Sequence, residues 1–93
     1  MSVKERHLFI SGNVQGVGFR YFTKMNAKDL DITGWVRNLS DGRVEALFQG
    51  TENSILEMTE RMQNGPRTAI VRSIEAGELK EPDEKFDSFF VKR

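Results

Sequence analysis

Between Gly12 and Arg20 the chain reads Gly12-Asn13-Val14-Gln15-Gly16-Val17-Gly18-Phe19-Arg20, three glycines within seven residues and an arginine close behind. Glycine lets successive backbone N–H groups turn toward one point, and such a nest attracts an anion. A helical pattern starts at Phe19, so the loop also feeds a helix N-terminus, with its free N–H donors and positive dipole end. Arg20 then stands in the first helical turn, where the dipole disfavours a cation. A cation held there implies a negative ligand, and its planar fork suits two phosphate oxygens at once. The segment reads as a compact phosphate cradle; the plainer alternative is a glycine-rich turn followed by a surface arginine. It is no Walker A loop, because no Gly-Lys-Ser/Thr follows. Nor is it a dinucleotide fingerprint, because Tyr21 stands where Gly16-x-Gly18-x-x would need a third glycine.

The second candidate is Asn38, in Gly34-Trp35-Val36-Arg37-Asn38-Leu39-Ser40-Asp41-Gly42. An amide donates and accepts, so it can hold a water and a substrate oxygen together. The competing reading is a turn-flanking asparagine bonded to its own backbone. Asn38-Leu39-Ser40 also matches a glycosylation sequon, which without a secretion signal reads as accidental. The remaining inventory is thin. His7 is the single histidine and has no partner motif, so it reads as a strand or surface residue. Asp29, Asp31 and Asp41 read as capping and turn residues, and no His/Asp/Glu spacing suggests a zinc or magnesium cage.

That thinness constrains the reaction. Phosphoryl transfer passes through a loose transition state, so positioning and charge stabilisation carry most of the catalysis. A carboxylate leaving group, with a pKa of about 4–5, departs without a general acid. An acyl phosphate is therefore a substrate that an arginine, a backbone nest and an asparagine can manage alone. A phosphate monoester, with its poor alkoxide leaving group, would need more.

These residues must be brought together by the elements around them. Residues 7–11 alternate and read as a strand. From about Phe19 to Leu30, the apolar residues Phe19, Phe22, Met25 and Leu30 recur at mostly helical spacing. Residues 33–38 and 43–49 form two hairpin arms around Ser40-Asp41-Gly42, with Val44, Ala46 and Phe48 on one face. Residues 52–63 are a second helix with Ile55, Met58 and Met62 on one stripe, capped by Thr51 or Ser54 and stopped by Gly65-Pro66. Residues 69–76 read as a strand with imperfect alternation, which a bulge would explain. Lys80–Lys85 is a polar loop, and Phe86 to Lys92 holds a short last strand with Phe89 and Val91 on one face.

The order βαββαβ(β) predicts an α+β fold, the ferredoxin-like α/β sandwich, with two helices on one face of a mostly antiparallel sheet and a short extra C-terminal strand. Strands one and two then run parallel with strand three between them. The loop after strand one and the end of strand two open on the same sheet edge, roughly 10 Å apart. Arg20 and Asn38 share that edge.

Composition sets limits rather than a function. The 93 residues suit one small domain over 1–93, without cysteine to staple it. Fourteen basic residues balance fourteen acidic ones, and the pI is about 6.6. A nucleic-acid or anionic-membrane binder would show a basic excess. The charged start and the lack of a run of about 20 apolar residues predict a cytoplasmic chain without signal peptide or membrane span.

The run from Gly12 to Arg20 resembles the signature of the acylphosphatase family. So does Gly34-Trp35-Val36-Arg37-Asn38-x-x-Asp41-Gly42-x-Val44, continuing to Gly50. Gly65-Pro66-x-x-Ala69-x-Val71 is similar to the family's link into strand four. The resemblance covers essentially the whole chain. It implies the ferredoxin-like sandwich and hydrolysis of acyl phosphates to a carboxylate and inorganic phosphate, without metal or cofactor. It puts the phosphate-binding arginine on Arg20, the water-orienting asparagine on Asn38, and the backbone cradle on Gln15, Gly16, Val17, Gly18, Phe19 and Arg20. Inorganic phosphate is expected as product and competitive inhibitor, and a monomer is expected. One departure is Asp31, where the family often has glycine; Asp tolerates the left-handed conformation better than most residues, so a small stability cost is expected. Two rivals remain: a phosphate- or carbamoyl-phosphate-binding module without turnover, and an RNA-recognition domain, for which Phe9 and Phe48 would have to serve as stacking residues.

Overall fold

The computed structural model describes residues 2–92; Met1 and Arg93, the two ends of the expected 1–93 unit, lie outside the described residues. In chain order the elements are β1 (Lys4–Asn13), α1 (Phe19–Asp29), β2 (Thr33–Asn38), β3 (Val44–Gly50), α2 (Glu52–Asn64), β4 (Ile70–Ala76) and β5 (Phe89–Val91). The strands form a five-stranded sheet in the order β4-β1-β3-β2-β5. β3 pairs antiparallel with both β1 and β2, so those two run parallel on either side of it, joined by α1. β5 adds to the free edge of β2 in parallel. This is the ferredoxin-like arrangement that the element order predicts.

One hydrophobic core lies between the helices and the sheet face carrying Leu8, Ile10, Val36, Val44, Ala46 and Phe48. The alternation of β3 is as expected, with Val44, Ala46 and Phe48 fully buried. β1 is longer than the 7–11 read from its apolar residues, because Lys4, Glu5 and Arg6 also pair with Gly50, Gln49 and Phe48. Their charges disguise strand residues whose polar ends find partners. Arg6 donates to the Gly77 carbonyl at 2.9 Å and to Thr59 Oγ1 of α2 at 3.3 Å.

The stripe that α1 buries is Phe19, Thr23 and Ala27, with Phe22 and Leu30 packed beside it. Met25, expected among the inward residues, is 45% exposed. The i, i+4, i+8 positions run through a threonine and an alanine, which hydrophobicity alone does not favour. Thr23 can sit there because its hydroxyl donates to the Phe19 carbonyl one turn earlier, at 2.8 Å. α2 buries Ile55, Met58 and Met62 as predicted, and Gly65 ends it with a φ of 64°. Asp31, after α1, has a φ of 55°, the left-handed conformation anticipated for it. The imperfect alternation of β4 is a bulge: Ser11 faces Ser73 but Gly12 faces Val71, leaving Arg72 as the extra residue. Among the described residues no helix is long and apolar enough to cross a membrane.

Candidate active site

Because β1 and β2 run parallel, the loop leaving β1 and the last residue of β2 come out side by side. Between them lies a cleft of about 390 Å³, lined by Val14, Gly16, Gly18, Phe19, Arg20, Tyr21, Lys24, Asn38 and Val91. Arg20 and Asn38, chosen from the sequence as the two chemical residues, thus share one cleft.

The cradle takes its shape from two left-handed glycines, Gly16 with φ 74° and Gly18 with φ 79°. A Cβ at either would meet nothing within 4 Å, so conformation, not crowding, requires glycine there. Gly18 is the N-cap of α1; no side chain caps this helix start, and its first turn has no acidic residue. Two carbonyls of the loop are tied back into the protein. Val17 O accepts from Thr68 Oγ1 at 2.6 Å, and Gly18 O accepts from the Phe22 N–H at 3.0 Å. The N–H groups are not: among the described residues, those of Gln15 through Arg20 donate no backbone hydrogen bond outside the regular elements. A run of unused donors beside the positive end of a helix dipole is an arrangement that suits an anion.

Arg20 is exposed and has no ion-pair partner among the described residues. Arg37, Arg43 and Arg61, by contrast, each hold a carboxylate within 2.8 Å. Asn38 closes β2 opposite Val44. Its Oδ1 is buried without any hydrogen-bond partner in the protein, so it makes none of the local backbone bonds of a turn asparagine. An acceptor left in that state costs about 1–3 kcal/mol, and it belongs to a residue that lines the cleft. The turn itself is served by Asp41, whose carboxylate accepts from the Arg43 N–H at 3.1 Å and from Arg43 Nε at 2.8 Å. That backbone bond, aided by the guanidinium and opposed by slight desolvation, holds the Asp41 carboxyl below its usual pKa.

Of the six cradle positions, Gly16, Gly18, Phe19 and Arg20 line the cleft, while Gln15 and Val17 do not. Val17 packs against the core, and the Gln15 amide reaches the β2–β3 turn. Val14, Tyr21, Lys24 and Val91 are lining residues that the sequence reading did not single out. Lys24 carried a usable signal, since it lies four residues after Arg20 on the same helical face. Val91 carried none, because its place depends on β5 joining β2 in parallel.

His7 is on the opposite face of the sheet, away from the cleft. Its Nε2 lies 2.6 Å from Glu45 Oε2, and Arg37 Nε lies 2.6 Å from Glu45 Oε1. Burial pushes the Glu45 carboxyl up, but the hydrogen bonds from Arg37 and His7 outweigh it and hold the pKa below the ordinary value. On this face Arg43 covers the Phe9 ring at 4.6 Å and Lys92 covers the Trp35 ring at 4.4 Å. Phe48 is fully buried in the core, so Phe9 and Phe48 do not form the stacking platform of an RNA-recognition domain. No group of three or more His, Asp or Glu able to hold a metal ion occurs among the described residues.

Residues 6–91 match the family model described as Acylphosphatase. An acylphosphatase of Trichormus variabilis is 51% identical over 87 residues, covering 94% of this chain and 84% of that protein. The crystal structure of acylphosphatase from Bacillus subtilis superposes with a TM-score of 0.93 at 36% identity, covering 97% of this chain and 99% of that one. The structure of an acylphosphatase from Coxiella burnetii gives 0.90 at 37% identity, over 98% and 94% of the two chains. With the family model spanning nearly its whole length, this chain belongs to the acylphosphatase family.

Proposed function

We propose that the chain hydrolyses acyl phosphates by direct attack of water on phosphorus, with Arg20 and the cradle amides holding the phosphate and Asn38 orienting the water. The activity, cleavage of a carboxyl–phosphate anhydride to a carboxylate and inorganic phosphate, is that of the family to which the chain belongs. One observation carries the division of labour. The cleft gathers the unpaired Arg20, the open N-terminus of α1 and an asparagine whose buried oxygen lacks a partner.

The phosphate sits against the N–H groups of Gln15 to Arg20, and the guanidinium of Arg20 takes two of its oxygens. The side-chain amide of Asn38, which can donate and accept, hydrogen-bonds the attacking water and sets its line of approach to phosphorus. The water oxygen bonds to phosphorus as the bond to the acyl oxygen breaks. The carboxylate leaves with the bonding pair, and the water's proton passes to the released phosphate or to solvent. No general acid is needed for so good a leaving group, and the mechanism uses no metal or cofactor. The chain acts as one unit over residues 1–93, as a cytoplasmic monomer, with inorganic phosphate as product and competitive inhibitor.

The test separates binding from chemistry. Arg20 contacts oxygens that are anionic throughout, whereas Asn38 acts on a water that matters only in the chemical step. Asn38→Ala is expected to keep the fold and bind inorganic phosphate within a few-fold of the parent protein. Its turnover of acetyl phosphate should fall about 100- to 1,000-fold, or 3–4 kcal/mol of barrier, by analogy with loss of an oxyanion donor. Near-normal turnover in folded Asn38→Ala would remove the asparagine from the mechanism. Phosphate binding without any hydrolysis by the unsubstituted protein would leave a phosphate-binding module instead.

A further inference from the structure

Gln15 belongs to the cradle by its backbone, yet its side chain leaves the cradle in another direction. The Nε2 group donates to the carbonyl of Leu39 at 2.7 Å and to the carbonyl of Arg43 at 2.8 Å. Those carbonyls stand at the neck of the β2–β3 turn, where the Leu39 N–H also meets Arg43 O at 2.8 Å and the Gly42 N–H meets Leu39 O at 3.2 Å. Leu39 directly follows Asn38, and Val44, the partner of Asn38 in the ladder, directly follows Arg43. Both protons of one amide therefore link the phosphate cradle to the two backbone positions flanking the Asn38–Val44 pair.

We propose that Gln15 is a positioning residue that sets the distance between the phosphate cradle and the Asn38 amide. The inference rests on the reading that Asn38 orients the attacking water. Sheet hydrogen bonds hold β2 against β3 and carry β1 along β3 as far as the Ile10–Val44 pair, but they do not tie the loop after β1 to the β2–β3 neck. The Gln15 bonds do. An amide suits the task because it brings two N–H donors without charge, whereas a carboxylate would face the carbonyls with its own oxygens. Each of the two carbonyls also keeps a backbone donor of its own, so losing Gln15 orphans neither. The consequence is misplacement, and in-line attack is sensitive to small displacements of the attacking atom.

The experiment uses Gln15→Met, close in length but without donors, and Gln15→Ala as a second variant, each alone and combined with Asn38→Ala. Turnover of acetyl phosphate, inhibition by inorganic phosphate and circular dichroism are measured on each protein. The expected result is a drop in kcat of about 10-fold or more with phosphate inhibition unchanged within about threefold, because the cradle backbone remains. In the Asn38→Ala background the same substitutions should change kcat by less than about twofold, since the residue they position is already gone. Three results would overturn the role: kcat near that of the parent protein, phosphate affinity falling in step with kcat, or an equal loss in the Asn38→Ala background. Loss of the fold in both variants would also overturn it, making Gln15 a structural clamp. Normal turnover in Asn38→Ala alone would instead defeat the water-orienting reading, so the two failures are distinguishable.

Discussion

α2 starts behind Thr51, whose Oγ1 accepts from the Ser54 N–H at 3.2 Å, and its first turn holds the acidic Glu52. α1 starts behind a left-handed Gly18 that caps nothing with a side chain, and its first turn holds Arg20 instead of an acid. Both helices follow a strand and pack on the same core, yet one start is closed by the protein's own oxygens and the other is left open. A capped terminus is a structural device worth about 1 kcal/mol. An open one gives up that stabilisation and keeps its donors and its dipole for a ligand. The difference teaches where to look for an anion in a chain with two helix starts and no charge excess.

The contrast is broken most severely at Arg20. Arg20→Gln and Arg20→Lys should both lower kcat/KM for acetyl phosphate on the order of 1,000-fold, about 4 kcal/mol, because a point charge does not reproduce a bidentate fork. Both should lose inhibition by phosphate while keeping their circular dichroism. Wild-type phosphate inhibition in Arg20→Lys would refute the fork argument. Closing the open terminus comes next. Gly18→Asp would give α1 an acid at its N-cap, as α2 has in its first turn. Phosphate inhibition should weaken roughly 100-fold through like-charge repulsion, about 2.7 kcal/mol. Folding stability should move by only about 1 kcal/mol, since strain at a positive φ offsets the gain against the dipole. An unchanged phosphate inhibition constant would show that no anion lies at this helix start.

The reverse experiment opens α2. Thr51→Ala should cost about 1 kcal/mol, seen as a fall in Tm of roughly 4–8 °C, with kcat unchanged. A loss of turnover there would mean that the two termini are not functionally separate. The smallest effect serves as a control on the remote sheet face. The Glu45 carboxyl lies below the ordinary glutamate value of 4.5 in the folded protein, so its ionised form stabilises the fold. That contribution is fully present above about pH 4.5 and is lost as pH falls through the lowered folded value. Glu45→Gln should therefore flatten the fall in stability below pH 4.5, read from denaturant midpoints, and leave phosphate binding alone. A stability profile as steep as that of the parent protein would contradict the assignment.

Much of this contrast was legible in the sequence, for identifiable reasons. The glycine spacing before Phe19 and a cap on Thr51 or Ser54 are local signals; the dihedrals match the first, and the bond from the Ser54 N–H makes Thr51 the cap. The bulge in β4 was also local, carried by a break in alternation, whereas the left-handed Asp31 was anticipated from the family resemblance, in which glycine often stands there. The convergence of Arg20 and Asn38 on one cleft followed from topology, once the strand order was assumed. What stayed hidden depends on approach in three dimensions. The charged Lys4–Arg6 segment conceals strand residues because charge says nothing about a neighbour's carbonyls. Thr23 and Ala27 occupy the buried stripe of α1 because a hydroxyl bonded one turn back and a small side chain both fit beneath a neighbouring helix. The side chain of Gln15 and the approach of Val91 likewise have no signature in spacing.

The strand order also carries a kinetic consequence. β1 is flanked by β3 and β4, so Leu8 waits for Ala76, and β2 completes its outer edge only when Gly34 meets Phe89. Loops that long must close before their contacts repay the lost chain entropy, which places such a topology among slower folders than helical bundles of equal length. The cleft draws on the loop after β1, the end of β2 and the residue Val91 of β5. None of these segments can assemble it with its sequence neighbours alone. In a domain of this size folding is expected to be cooperative, so recovery of hydrolysis after denaturation should keep step with the regain of the whole sheet and not precede it.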